Sequence, residues 1–326
     1  MNSFFEGIKS LLSLAARSGS RQVVEMLISS GADVNSLDES GKAPIHWAAR
    51  GGYLDVMRCL AENGANLNLC SKDSYLALHY AIQCQNPEIV EFLLKKEVLV
   101  DEYASVMLGR IDQIRAFINI GFNVNETYTK LNTYPIFDAI EFQHLNVVRL
   151  LIQVGASVHN VLDSNGATVL HLHGSVKNIH IFNSLISAGA NIYLRDYKGF
   201  TPLHVAARSG CSNVVARLVE LGADIDSIAE DGSTPLWQAA YSQNQQATEC
   251  LLSAGARVNI SNRLGETPLH ATLHRKSGVL VAQSLIDRGI DINSTNQRGL
   301  RAIHIAVAQG NEELVDLLLT NNATIY

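Results

Sequence analysis

Val214, Val215, Leu218 and Val219 fall on one face at helical spacing, with polar residues between them. Just upstream, "GFTPLHVAARSG" (residues 199–210) predicts a shorter helix that begins at Pro202 and stops at Gly210. Proline is suited to a first helical position, where its missing N–H would have no partner anyway. Thr201 before it supplies a hydroxyl able to cap the helix. Ala206 and Ala207 are small enough for a neighbouring helix to approach closely. Gly210 provides the left-handed residue that ends the helix. The predicted element is therefore a pair of antiparallel helices closed by Gly222, followed by an extended loop "ADID".

The same phrasing recurs as "GKAPIHWAARGG", "GSTPLWQAAYSQ" and "GETPLHATLHRK". The closing glycines Gly31, Gly64, Gly121, Gly155, Gly189, Gly222, Gly255 and Gly289 stand 33 or 34 residues apart, except for one step of 57. Glu97, in "KKEVLVD", divides that step, and Asn322 continues the ladder. Five of the six prolines (Pro44, Pro135, Pro202, Pro235, Pro268) occupy the slot before the short helix. Fixed-period self-similarity of this length is the signature of a stacked repeat architecture.

A turn, two antiparallel helices and this period resemble the ankyrin repeat, whose T-P-L-H-x-A-A and G-A-D-V-N phrases stand here almost verbatim. The resemblance implies an all-α solenoid of stacked helix-turn-helix units with β-turn hairpin loops. It covers residues 1–326 as one array, in units at approximately 10–39, 40–72, 73–99, 100–129, 130–163, 164–197, 198–230, 231–263, 264–297 and 298–326. Phe4, Phe5, Ile8, Leu11, Leu12 and Ala15 predict the first helix, and the outermost units read as caps. The fourth unit lacks the turn and the Thr-Pro phrase, which predicts a notch in the hairpin row or a bend near 97–110. The ninth has an extra residue near "HRKSGVL", predicting a longer loop between its helices.

Composition narrows the function. Apolar residues make up 47%, enough for a continuous core, and the net charge of -6 without a basic run argues against nucleic acid or membrane as partner. Five scattered cysteines without CxxC pairs favour a reducing compartment, so a cytoplasmic location is expected, with the nucleus as the alternative. Sequons at Asn125, Asn259, Asn293 and Asn322 pull toward secretion, but a repeated V/I-N loop places asparagines there anyway.

His46, His79, His171, His204, His270 and His304 share one slot and form a ladder. Neighbouring helices pack ~8–10 Å apart, too far for successive rungs to share an ion, so no metal is expected. The resemblance implies that these rings hydrogen-bond the backbone of neighbouring turns. A zinc site of Cys59, Cys70, Cys84 and His79 is disfavoured because its members lie in different elements. Neither a phosphate loop nor a catalytic constellation is present, so no cofactor and no enzymatic activity are expected. Paired residues such as Asp33 and Asn35, or Asp224 and Asp226, are expected to hydrogen-bond within loops rather than bind calcium.

The expected function is a monomeric scaffold or adaptor that holds a partner protein on the concave side, lined by hairpin tips and the exposed flank of the short helices. Tyr197, Phe200, Arg208 and Tyr241 are expected to converge as the anchor, with Tyr75, Arg50, Arg17 and His274 as further contact residues. The resemblance also implies hydroxylation of Asn35. Alternatives from the same resemblance are a secreted toxin-like array, a host-directed bacterial effector, or a ubiquitin-ligase substrate receptor without its C-terminal box.

Overall fold

Pro202 is the first residue of a helix that runs to Ser209 and ends on Gly210 at φ 75°. Ser212–Glu220 then turns back against it. A computed structural model describes residues 11–127, 133–160, 165–172, 177–275 and 278–325. The same helical hairpin recurs among these residues, although residues 165–172 form turns in place of a short helix, and the fold is all-α. The chain divides into two compact units, residues 1–131 and 132–326.

In the first, residues 11–18 are helical, followed by Arg21–Ser29, Pro44–Gly51, Leu54–Glu62, Ala77–Gln83, Pro87–Lys95, Glu102–Met107 and Ile111–Asn119. The predicted first helix is seen from Leu11 onward, and Phe4, Phe5 and Ile8 lie outside the described residues. Short helices stack on short helices and long on long, as Pro44–Gly51 does on Ala77–Gln83. Ala48 and Ala49 have no exposed surface, which permits this approach. Leu12, Ile45, Met57, Leu60, Leu78, Ile89 and Leu93 fill the interior. Each such burial contributes about 1.5–3 kcal/mol.

The stretch 97–110 lies inside this first unit. Its short helix Glu102–Met107 packs on Ala77–Gln83, and the Leu99 N–H donates to Asn68 Oδ1 at 2.7 Å. Three residues after Val98 the chain goes straight into this helix, whose cap is Asp101. Its side chain accepts the Ala104 N–H at 2.8 Å.

In the second unit the helices are Pro135–Glu141, Leu145–Gln153, Ile179–Ser187, Pro202–Ser209, Ser212–Glu220, Pro235–Tyr241, Gln245–Ser253, Pro268–Ala271, Val279–Asp287, Ala302–Ala308 and Glu312–Thr320. A 3-10 turn, Thr272–His274, extends Pro268–Ala271. The loop lengthened by the extra residue falls partly outside the described residues. Phe182, Leu203, Val214, Val215, Leu218, Leu236 and Leu251 are fully buried here.

Two sets of bonds hold successive hairpins in register. At the tips, Glu230 N–H donates to Lys198 O at 2.9 Å, Arg263 N–H to Asp231 O at 2.8 Å, and Gln297 N–H to Leu264 O at 2.9 Å. Gly232, at φ 82°, is required for this approach, because a Cβ there would come within 2.5 Å of the Arg263 nitrogen. In the loops after the long helices, the expected Asx hydrogen bonds also reach the next hairpin. Asn35 Oδ1 accepts from Asn66 N–H at 2.7 Å, Asp226 from Arg257, Asn259 from Asp291 and Asn293 from Thr324.

Candidate partner-binding surface

Pro44–Gly51 and Pro202–Ser209 turn their alanines and their His inward, which leaves the residue after the alanine pair facing outward. Arg208 is such a residue, on the turn after Ala206 and Ala207. It lines an open groove of about 360 Å³ together with Tyr197, Phe200, Lys198, Val205 and Gln238. Tyr197 is 61% exposed, and its ring lies over Gly166, where a Cβ would meet it at 2.6 Å. Phe200 is half-buried and its backbone is pinned on both sides. Its N–H donates to Asp196 Oδ1 at 2.9 Å, and its carbonyl accepts from His171 Nε2 at 2.9 Å. Its ring stands 5.5 Å from that of His204.

Tyr241 does not line this groove. It stacks on Trp237, centroids 5.3 Å apart at 13°, and its other neighbours are His274 at 5.3 Å and the Arg275 guanidinium at 5.6 Å. His274 Nε2 lies 3.2 Å from Glu266 Oε2. Beyond His274 opens a larger hollow of about 660 Å³, lined by Glu266, Leu273, Arg298, Leu300 and Gln309 among others. The four expected anchor residues thus fall into two neighbouring clusters, with Gln238 of the Trp237 helix on the border of the first groove.

The remaining expected contacts lie in the first unit. Tyr75 is half-buried, packed among the rings of His79, Tyr80 and Tyr103 at 5.8, 5.3 and 6.1 Å. Arg17 and Arg50 both stand against the ring of Trp47, at 5.0 and 5.8 Å. Asn35 is half-buried, its Nδ2 donating to Gly64 O at 3.4 Å while its Oδ1 holds the Asn66 amide.

The histidine slot is a bonding element in the interior. Nδ1 of His204 accepts the Thr201 N–H at 3.1 Å, and Nε2 donates to Ser233 O at 3.2 Å. His46, His171 and His270 repeat the pattern toward Leu69 O, Phe200 O and Leu300 O. The ring therefore caps the helix, while the Thr201 hydroxyl that was expected to do so lies 2.9 Å from His204 Nδ1. Where Trp237 replaces His the threonine takes the capping role: Thr234 Oγ1 accepts from Trp237 N–H at 3.2 Å, and the indole N–H reaches Glu266 O at 3.0 Å. Burial outweighs these bonds and lowers the pKa of His46, His171 and His270 below the ordinary value, and that of His204 to about 4.

Two acids were not foreseen as special. Asp138, one residue past the slot in Pro135–Glu141, keeps some exposure overall, yet its Oδ2 is shut off from solvent with no hydrogen-bond partner. Burial and then the Glu141 charge push its pKa up to about 8. Asp101 accepts from both His79 Nε2 and Ala104 N–H. Among the described residues no three His, Cys, Asp or Glu side chains gather as metal ligands, and no helix is long and apolar enough to cross a membrane.

The family model described as "Ankyrin repeats (3 copies)" matches residues 12–104, 136–229, 170–262, 217–294 and 236–326. Among curated proteins, the chain is 32% identical over 97 residues to "BRCA1-associated RING domain protein 1" of Caenorhabditis elegans. That match takes in 30% of this chain and 14% of the relative.

Proposed function

Because the chain belongs to the ankyrin-repeat family, whose members are generally protein-interaction modules, we propose that it is a non-enzymatic scaffold or adaptor holding a partner protein on its second unit. The observation that supports this reading most is the open groove in which Tyr197, Phe200 and Arg208 meet beside the Trp237–Tyr241 stack. Aromatic and arginine side chains in adjoining pockets are the residue types that dominate binding energy at protein interfaces. The pinned backbone of Phe200 presents its ring without a further loss of conformational freedom on binding. The name of the nematode relative also records association with another protein.

The protein acts as a monomer in the cytoplasm in this reading, in keeping with its five unpaired cysteines. Asn35 hydroxylation is part of the same proposal. It requires the carboxamide to leave both of its partners on the next hairpin, and mass spectrometry of native Asn35 peptides without added oxygen refutes it.

The test is capture from the native source by the intact chain and by Phe200→Ala/Tyr241→Ala. Loss of the captured partner with a nearly unchanged melting transition is expected. Retained capture, or a large fall in stability, overturns the assignment of this surface.

A further inference from the structure

A second surface stands out in the first unit. Trp47 is half-buried on Pro44–Gly51, and three cations face its ring. The Arg17 guanidinium lies at 5.0 Å, the Lys42 ammonium at 5.7 Å and the Arg50 guanidinium at 5.8 Å from the centroid. Lys42 has a counter-ion in Asp73 at 3.5 Å. Arg17 and Arg50 are exposed, and neither has a carboxylate within ion-pair distance among the described residues.

The one acid on the indole is already committed. Asp38 Oδ2 accepts the Trp47 Nε1–H at 2.6 Å, while Oδ1 accepts from Ser40 Oγ at 2.7 Å and Lys42 N–H at 3.0 Å. Burial works against its charge, yet these three bonds keep its pKa below the ordinary carboxylate value. It remains charged, but these three bonds commit it to its own hairpin.

Two guanidiniums held against one ring repel each other, and no carboxylate among the described residues bridges them. A cation–π contact returns only about 0.5–1 kcal/mol at an exposed site. A carboxylate complements such a guanidinium in charge and geometry, because guanidinium binds it through two parallel N–H···O bonds. The half-buried indole that both guanidiniums approach adds apolar surface to the same spot. Nucleic acid fits less well, since phosphate-backbone binding draws on roughly six to ten cationic contacts, and this face offers two free ones in a chain of net charge -6.

We infer that the Arg17–Trp47–Arg50 face docks an acidic segment of a partner protein, whose carboxylates bridge the two guanidiniums across the indole. This rests on the reading of the chain as a protein-binding module, and names the partner chemistry for one part of it.

Trp47 is one of only two tryptophans, so it serves as the probe. The full chain carrying Trp237→Phe is titrated with a short Glu-rich peptide and with its Gln counterpart. Anisotropy of the labelled peptides against the unmodified chain is the second readout, independent of how the Trp237 change is tolerated. The Glu peptide is expected to saturate a change in Trp47 emission and to weaken with added salt. Arg17→Glu/Arg50→Glu, shown to be folded by circular dichroism, is expected to weaken it at least tenfold, roughly the loss of one charge-assisted pair. Arg208→Glu and Phe200→Ala/Tyr241→Ala are expected to leave peptide affinity unchanged, which separates this surface from the groove in the second unit.

The inference is overturned if neither readout detects the Glu peptide, if the Gln peptide binds equally, or if the double reversal binds as well as the unmodified chain. Tighter binding of single-stranded DNA of the same charge reassigns the face to nucleic acid and overturns it as well.

Discussion

His79 Nε2 donates to Asp101 Oδ1 at 2.9 Å, where His171, His204 and His270 donate to main-chain carbonyls of the next hairpin. The difference arises because the chain between Glu97 and Asp101 is too short to form a hairpin tip that would offer such a carbonyl. One carboxylate does the work of the missing segment, as acceptor for the ring and as cap for the Ala104 amide. Burial alone would raise its pKa, but the His79 bond and charge bring the balance below the ordinary value.

Asp101→Ala removes a helix cap, worth about 0.5–2 kcal/mol, and the acceptor for a buried ring N–H, worth about 1–3 kcal/mol. A loss of about 2–4 kcal/mol in urea unfolding is expected, with Asp101→Asn losing less. The carboxylate's contribution is present above the unfolded pKa and declines as pH falls through the lower folded value. A cost below about 0.5 kcal/mol would show that the short hairpin is held by apolar packing alone.

His204 and Asp138 tilt the stability profile in opposite directions. With its folded pKa lowered to about 4, His204 binds protons more readily when unfolded. Its contribution, about 3 kcal/mol at 1.36 kcal/mol per unit, is complete above pH 6.5 and lost as pH falls toward 4. His46, His171 and His270 act in the same sense. Asp138, raised to about 8, holds its proton only when folded, so its contribution is complete below 3.8 and lost as pH rises through 8. Asp138→Asn is therefore expected to stabilise by on the order of 2–4 kcal/mol at pH 8 and far less at pH 4. Unfolding curves at the two pH values decide it, and an equal effect at both disproves the buried proton.

Glu97 adopts φ 54° at the position where other long helices close with glycine. It is exposed, and its side chain makes no hydrogen bond or ion pair among the described residues to offset the strain. Glu97→Gly is expected to raise stability by about 1 kcal/mol, measured as a higher melting midpoint. Gln243 is the control, at φ 58°. Its side chain donates to Thr272 O and Arg275 O, so Gln243→Gly is expected to give no gain.

Asn68 carries the bond from Oδ1 to the Leu99 amide across two hairpins. Asn68→Ala is expected to cost about 1 kcal/mol. Hydrogen exchange gives the sharper check, because the Leu99 amide should exchange about fivefold faster while amides in Leu54–Glu62 stay protected. An unchanged Leu99 rate means that the contact is incidental.

Periodic features were plain in the sequence because they repeat. Proline at the start of five short helices, the buried alanine pair and the histidine slot each recur often enough to be read from spacing. What escaped the sequence depends on which side chains meet in space. Asp101 reads as an ordinary loop acid until His79 is placed above it, and Thr201 looks like a cap until His204 takes its amide. The anchor group was legible as residue types but not as a grouping. Tyr241 lies two residues beyond an alanine, as Arg208 does, yet stacking on Trp237 turns it from the groove that Arg208 lines. What distinguishes the two cases is Trp for His at 237, four residues earlier on the same helix.

The bonds from Asp226 to Arg257 and from Asn259 to Asp291 reach no further than the adjoining hairpin. Excising residues 227–259, one whole period, would bring Asp226 to the place of Asn259, opposite the Asp291 amide that the asparagine now serves. Donor would still meet acceptor across the splice. Gain or loss of a complete period is thus a nearly silent event for the scaffold, and the number of repeats is open to change by unequal crossing-over in a way that a single altered loop is not.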